Sequence, residues 1–150
     1  MIRRFTIRLR AGSRDRLQYL ISQDRPDGKA STASKTLNEV FGRLMVRSRK
    51  EGTDLMEEEI ILLRESGWPG GEGHVAQSLK TTQRMNFAMR DSVRVFLESL
   101  RSAIQDRGIT VSTNEVVNGL ISFESNDDAA YLLEVAISRV AALGGSAVTT

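Results

Sequence analysis

Arg3-Arg4-Phe5-Thr6-Ile7-Arg8-Leu9-Arg10, near the start of the chain, alternates between polar and apolar residues and decides the fold. Phe5, Ile7 and Leu9 share one side of an extended chain, and the other side carries Arg4, Thr6, Arg8 and Arg10. Successive side chains of a β-strand point to opposite faces, so this period of two predicts a half-buried strand over residues 3–10. Its polar face is unusual because it is almost entirely arginine.

The alternation returns in Arg84-Met85-Asn86-Phe87-Ala88-Met89-Arg90, which predicts a second strand over residues 84–90. Its inward positions are Met85, Phe87 and Met89, and its outward positions are Arg84, Asn86 and Ala88. A single strand leaves its backbone N–H and C=O groups unpaired and its apolar face uncovered. The two strands are therefore predicted to pair antiparallel, as a ribbon that lies with its apolar face on four helices.

Three helices are predicted between the strands. The first is short, has Ser13 as its N-cap and ends before the turn at 26–28. The second opens on a Thr-x-x-Glu capping box at 36–39. The third covers 54–66, with Asp54 as its cap, and a Gly- and Pro-rich linker at 67–73 follows it.

Three more helices are predicted after the second strand. Ser92 is the expected cap of the first, which closes near Gly108. Ser112-Thr113-Asn114-Glu115 is a second capping box and opens the next helix. A last apolar helix covers about residues 127–143.

The two halves of the chain match in residues as well as in element order. Residues 36–45 align with 112–121 through the pattern Ser/Thr-x-Asn-Glu-Val-apolar-x-x-Leu-apolar, which gives the first unit four extra residues near 26–34. Strand-helix-helix thus occurs twice. The predicted fold is α+β, mostly α, in one compact pseudo-dimeric domain over 1–150, with a first unit at 1–50, a helical linker at 51–82, a second unit at 83–124, and a C-terminal helix and tail at 125–150.

The charge is distributed unevenly along the chain. Residues 1–50 hold 13 Lys+Arg against 4 Asp+Glu, whereas residues 51–80 hold 2 against 7. A basic first third indicates an anionic partner, of which nucleic acid is the first candidate, or else a solvated basic face. The chain has no cysteine and one histidine, which excludes disulfides and thiolate metal sites, and no apolar stretch approaches a membrane span. We expect a cytoplasmic protein with no membrane partner.

The ribbon suggests how the protein would recognise an anionic partner. A two-stranded ribbon fits the DNA major groove, and arginine and asparagine side chains can hydrogen-bond there to guanine and adenine respectively. The predicted base-reading residues are the six outward ones: Arg4, Thr6, Arg8, Arg84, Asn86 and Ala88.

Each half resembles a unit of the ribbon-helix-helix superfamily of the MetJ/Arc type, whose members are small dimeric repressors, antitoxins and plasmid proteins. The whole chain resembles a fused pair, as in relaxosome accessory proteins of conjugative plasmids and T-DNA-border helper proteins. The resemblance covers about residues 3–50 and 83–123, although Ala88 stands where the family usually places a polar reader. It implies that two different strands read two different half-sites, so that the preferred target need not be palindromic.

The resemblance also implies contacts with the DNA backbone. The N-termini of the second helices would clamp phosphates on either side of the groove, and basic residues nearby would extend the clamps. Plain helix capping is the alternative role of these helix starts. The predicted phosphate-binding residues are Arg10, Arg14, Lys29, Ser34, Lys35, Thr36, Ser112 and Thr113, with Arg16 as a further candidate.

Two DNA-linked functions follow from the resemblance: an accessory role in plasmid DNA transfer, beside a relaxase or other DNA-processing protein, and transcription regulation. The alternative is a protein-interaction module without nucleic acid, supported by the acidic helix with Glu57-Glu58-Glu59 and by the apolar C-terminal helix. That last helix is predicted either to cover the core or to drive self-association.

An enzyme is not predicted, and neither is a cofactor or a metal. Residues 70–73 are glycine-rich but lack the strand, the helix and the lysine of a phosphate-binding loop. His74 has no evident catalytic partner, and Trp68 is expected to anchor the linker to the core.

Overall fold

The computed structural model describes residues 2–23, 32–66 and 83–148, and the side chains of 3–23, 32–66 and 83–142. Within these ranges the protein is a mostly helical α+β fold with six helices and one two-stranded antiparallel sheet. The predictions for Pro26, Trp68 and His74 lie outside the described residues. No helix in the described part of the chain combines the length and the apolar character needed to cross a bilayer.

The elements follow one another in the predicted order. They are β1 (Ile2–Leu9), α1 (Ala11–Ser22), α2 (Ala33–Glu51), α3 (Asp54–Glu65), β2 (Gln83–Arg90), α4 (Asp91–Asp106), α5 (Thr113–Ser125) and α6 (Ala129–Val148). Both strands lie within one residue of the predicted spans, whereas α6 extends beyond the predicted end at 143.

The two strands form the predicted ribbon. β1 pairs antiparallel with β2, and the register places Phe5 opposite Phe87 and Thr6 opposite Asn86. The inward side chains of both strands enter the core, with Ile7, Leu9, Phe87 and Met89 at most 2% exposed, and Phe5 and Met85 packed against them. The predicted division of each strand into an apolar and a polar face is therefore confirmed, as is the antiparallel pairing.

The two halves are related by a constant shift of 80 residues, the separation of the facing pair Thr6 and Asn86. The helices obey the same shift, because α2 starts at Ala33 after the N-cap Thr32, and α5 starts at Thr113 after the N-cap Ser112. The predicted alignment of residues 36–45 with 112–121, and the four-residue insertion, are wrong. The wrong alignment is displaced by about one helical turn. Because such a displacement keeps the apolar residues on the same face of the helix, the residue pattern fits both alignments.

Several predicted helix starts are also wrong. The capping box at Thr36 does not exist, because the Thr32 hydroxyl caps α2 by accepting from the Lys35 N–H at 3.1 Å. α1 and α4 begin directly after their strands, with Arg10 and Arg90 at the N-cap positions, so the predicted caps Ser13 and Ser92 lie inside the helices.

Other helix boundaries agree with the sequence. The capping box Ser112–Glu115 is present in full. The end of α4 near Gly108 is confirmed, since Gly108 has a φ of +85°, a left-handed backbone that favours glycine. The N-cap of α3 is Thr53 in place of Asp54.

α3, which the repeated motif does not explain, forms part of the core. Its Met56 and Ile60 are at most 1% exposed, and it packs against α5. At Gly119 of α5 a Cβ atom would lie 2.7 Å from Ile60 Cα, so the two helices approach as closely as they do because this residue has no side chain.

The outer edges of the ribbon are closed by two asparagines. The Asn118 side chain of α5 donates to the Arg8 carbonyl at 2.8 Å and accepts from the Arg10 N–H at 2.9 Å. Asn38 of α2, its equivalent, donates to the Ala88 carbonyl at 2.9 Å and accepts from the Arg90 N–H at 3.1 Å. Each half thus satisfies the backbone edge of the other half's strand, which a two-stranded sheet would otherwise leave open.

Asn118→Ala is expected to lower the free energy of unfolding by about 2 kcal/mol, because it leaves the part-buried Arg8 carbonyl and Arg10 N–H without their partner. Urea denaturation followed by circular dichroism measures this loss. Asn126→Ala, at an exposed position, is the matched control and should stay within about 0.5 kcal/mol of the wild type. Equal effects of the two substitutions would show that the edge contacts do not hold the ribbon.

Candidate nucleic-acid interface

The outward face of the ribbon brings together all six predicted base-reading side chains. They face one another as three cross-strand pairs: Arg4 with Ala88, Thr6 with Asn86, and Arg8 with Arg84. Arg4, Thr6, Arg84 and Asn86 are exposed, and Arg8 and Ala88 are partly exposed. This surface is called the ribbon face below. It results from the alternation of both strands, which sends every apolar neighbour of these residues into the core.

The ribbon face carries positive charge that no ion pair among the described residues neutralises. Arg8 and Arg84 are directly opposite each other, an arrangement of like charges that destabilises a sheet. Within the described residues, the ion pairs of the protein involve neither these two arginines nor Arg4. A face that keeps facing arginines without carboxylates is chemically suited to an anionic partner.

The centre of the ribbon face is polar and weakly connected. The Thr6 hydroxyl donates to Asn86 Oδ1 across 3.4 Å, a long hydrogen bond. Since Thr6 and Asn86 are equivalent residues of the two halves, the approximate twofold axis of the fold passes between them. Both side chains can exchange this contact for one to a ligand.

The first turns of α2 and α5 flank the two edges of the ribbon. On the α2 side, the Ser34 hydroxyl accepts from the Ala88 N–H at 2.9 Å. On the α5 side, Asn114 Oδ1 accepts from the Arg8 N–H at 3.1 Å. The predicted phosphate-binding residue Ser34 therefore closes the strand edge, a role that its sequence position did not reveal.

The two flanking helix starts differ in charge. The third helical position of α2 is Lys35, which is exposed. Its equivalent in α5 is Glu115, which is 3% exposed and accepts from the Ser112 N–H at 2.8 Å. Arg64 Nε lies 3.9 Å from the same carboxylate. The buried Glu115 carboxylate offsets the positive charge at the start of α5, whereas Lys35 adds to the positive charge at the start of α2.

The other predicted phosphate-binding residues are scattered. Thr36 is 6% exposed in the interior of α2, so the expectation that it starts the helix and meets a phosphate there is wrong. Ser112 and Thr113 are half-buried at the start of α5, and Arg14 lies 3.8 Å from Asp15. Lys29 lies outside the described residues.

Arg10 leaves the ribbon face although its position continues the alternation. β1 ends at Leu9, and the Arg10 side chain is half-buried, with its Nε fully buried and without a hydrogen-bond partner. Burial lowers the pKa of Arg10, against the opposite effect of the nearby Glu59 carboxylate. Its guanidinium therefore lies within electrostatic reach of Glu59 on α3 and is not counted in the ribbon face.

Arg16 is 2% exposed, so the suggestion that it binds phosphate is wrong. Its guanidinium donates to both carboxylate oxygens of Glu124, at 2.9 and 2.7 Å, and to Asp128 at 2.8 Å. The Tyr131 ring centroid lies 4.6 Å from the Arg16 Cζ. This arrangement attaches the start of α6 to α1, and the alternation of charges in the sequence gave no sign of it.

Arg90 lies at the end of β2, beyond the three cross-strand pairs of the ribbon face, and the sequence pattern did not single it out. It is exposed, and its place in β2 continues the outward series of Arg84, Asn86 and Ala88. The signal was present in the alternation, but a position at the junction with a helix is hard to assign to a strand from sequence.

Comparisons of the chain with protein-family models, curated proteins and solved structures found no match.

The contacts of Asp128, which attach the start of α6 to α1, predict that the stability of the fold depends on pH. The Tyr131 N–H and the Arg16 guanidinium hold the pKa of the Asp128 carboxyl below its ordinary value of 3.8. The ionised form therefore stabilises the fold above that ordinary value, and the contribution disappears as pH falls through the lower folded-state pKa.

Asp128→Asn should consequently destabilise the protein at pH 7, with the difference from wild type vanishing in strong acid. Urea denaturation at several pH values measures the difference, and Asp128→Asn keeps an oxygen to accept from the Tyr131 N–H. The control Glu134→Gln removes an exposed carboxylate of α6 and should show little effect at any pH. A difference that persists unchanged in acid would contradict the ion pair.

Proposed function

We propose that this chain is a single-chain ribbon-helix-helix protein that binds double-stranded DNA by placing the ribbon face in the major groove. The observation that carries the proposal is the facing pair Arg8 and Arg84, which is solvent-accessible and opposed by no carboxylate of the described chain. The B-DNA major groove, about 12 Å wide, admits a two-stranded ribbon. DNA supplies the negative charge that the ribbon face lacks.

The side chains of the ribbon face suit recognition of base edges. Arginine can donate two hydrogen bonds to guanine O6 and N7, which assigns Arg4, Arg8 and Arg84 to guanines. Asn86 suits adenine N6 and N7, and Thr6 suits a base edge or a thymine methyl. Ala88 has only a methyl group to offer, so it would contact thymine or leave space.

Phosphate contacts would position the ribbon without reading sequence. Lys35 at the start of α2, with the backbone N–H groups of that first turn, is the best-placed group on one side. Ser112 and Thr113 start α5 on the other side, and Arg14 is partly exposed on α1.

The biological setting has two candidates that share this chemistry. One is an accessory role in plasmid or mobile-element DNA transfer, in which the protein marks or bends an origin for a relaxase. The other is transcription regulation. Two assays distinguish these roles. Nicking of a supercoiled origin by a relaxase, with and without the protein, tests the transfer role, and repression of a reporter promoter tests the regulatory role.

Arg8→Ala should weaken binding to the preferred duplex by about 1–3 kcal/mol, because it removes a bidentate contact to guanine. The preferred duplex comes from selection on randomised DNA, and titration by fluorescence anisotropy at fixed salt measures the affinity.

The matched control is Arg43→Ala, which removes the same charge from an exposed position of α2 away from the ribbon. It should change affinity for preferred and random duplexes by similar small amounts. The base-reading role is refuted if Arg8→Ala behaves like Arg43→Ala on both duplexes.

A second candidate function is protein contact through α6. This helix is anchored at its start by Asp128 and Tyr131, and beyond that point Leu133, Ile137 and Val140 are about 60% exposed or more. The spacing of these three residues places them on one side of the helix. Exposed apolar stripes of this kind are typical of helix-pairing surfaces, either with a second copy or with a DNA-processing protein.

Replacing Leu133, Ile137 and Val140 with serine in one triple variant should lower self-association without unfolding the protein, since these side chains are outside the core. Light scattering after size-exclusion chromatography, over a concentration series, compares the variant with the wild type. Circular dichroism checks that the fold is retained. A wild type that stays monomeric at every concentration would exclude self-association and leave another protein as the partner.

A further inference from the structure

We infer that the protein binds its target DNA in one orientation, because the cross-strand pairs of the ribbon face place Arg8 opposite Arg84 at one end and Arg4 opposite Ala88 at the other. The inference rests on the proposed DNA binding and adds to it a polarity. It concerns the order of bases in the target, which the shape of the ribbon alone does not determine.

The register defines the two ends. The shift of 80 residues makes Arg84 the equivalent of Arg4, and Ala88 the equivalent of Arg8. Two identical strands would therefore give each end a pair of facing arginines. The alanine breaks this symmetry, since one end has Arg8 facing Arg84 and the other has Arg4 facing Ala88.

The spacing of the two ends sets the scale of the target. Residues 4 and 8 of an extended strand are about 13 Å apart, at about 3.3 Å per residue. Along a groove with about 3.4 Å per base pair, this distance corresponds to about four base pairs. Guanines are thus expected on one side of a central step that faces Thr6 and Asn86, and fewer on the other side.

The flanking helices strengthen the same asymmetry. The Ser34 contact puts the start of α2, with Lys35, beside Ala88. The Asn114 contact puts the start of α5, with the buried carboxylate of Glu115, beside Arg8. The end with more base-reading arginines therefore has the weaker electrostatic attraction for phosphate, and the end with fewer has the stronger one. Turning the protein around on the DNA would exchange two unlike ends.

A fixed orientation has a consequence for any protein recruited to the site. α6 follows the second half of the fold, and the Arg16–Asp128 contact holds its start beside α1 of the first half. A partner held by α6 would consequently always be delivered to the same side of the bound sequence, which suits the marking of a site where one strand is to be processed.

Selection from randomised duplexes tests the inference with four proteins: the wild type, Ala88→Arg, Arg8→Ala and Ala141→Arg. The wild type is expected to yield a non-palindromic consensus with guanines concentrated on one side. Ala88→Arg supplies the missing arginine, so its consensus should gain a guanine on the other side, with discrimination there rising roughly 5- to 150-fold. The control Ala141→Arg adds the same charge at an exposed position of α6 and should leave the consensus unchanged.

The outcomes are distinct. A palindromic consensus from the wild type overturns the inference while leaving DNA binding intact. The inference is also overturned if Ala88→Arg keeps the wild-type consensus although Arg8→Ala loses guanine preference. If the wild type selects no duplex although circular dichroism shows that it is folded, the proposed function itself is contradicted.

Discussion

The backbone edges of a two-stranded ribbon must find partners, and in this protein Asn38 and Asn118 supply them. Because each asparagine lies on the second helix of one half and bonds the strand of the other, neither half has a closed strand edge alone. Together with the contacts of Ser34 and Asn114, these bonds fix the position of α2 and α5 beside the ribbon, so that both helices begin at its edges. The helix starts and the ribbon face consequently keep a fixed geometry, which would pre-organise the surface for the proposed binding in the major groove.

The ribbon face suits the proposed DNA binding, but its facing arginines are unfavourable for stability. Facing arginines such as Arg8 and Arg84 weaken strand pairing, and the core beneath offsets this cost through fully buried residues such as Phe87 and Ile60. α3 contributes to that core by its close approach to α5 at Gly119. The added helix therefore supports the site indirectly, since it stabilises the floor on which a highly charged ribbon is held.

Sequence patterns predicted the ribbon well because its determinants are local. The alternation of β1 and β2 assigned every residue of the ribbon face to the correct side. The helix starts were harder, since Thr36 and Thr32 both fit a capping pattern and lie one turn apart on the same face. Tertiary contacts between distant residues left no periodic signal. The bonds of Asn38 to β2 and the burial of Arg16 between Glu124 and Asp128 are of this kind, and only the assembled structure brings these groups together.

Two units in one chain can diverge where two identical chains cannot, because a substitution in a fused pair occurs once. Arg16 and Glu124 form an ion pair that holds α6, whereas their equivalents Phe96 and Leu44 lie in the apolar core. Lys35 corresponds to the buried Glu115, and Arg8 corresponds to Ala88. The asparagines that close the ribbon have stayed the same in both halves, and so has the inward apolar face. These differences lie at the ribbon face, at the starts of α2 and α5 and at the α6 anchor, whereas the asparagine contacts that close the ribbon retain their symmetry.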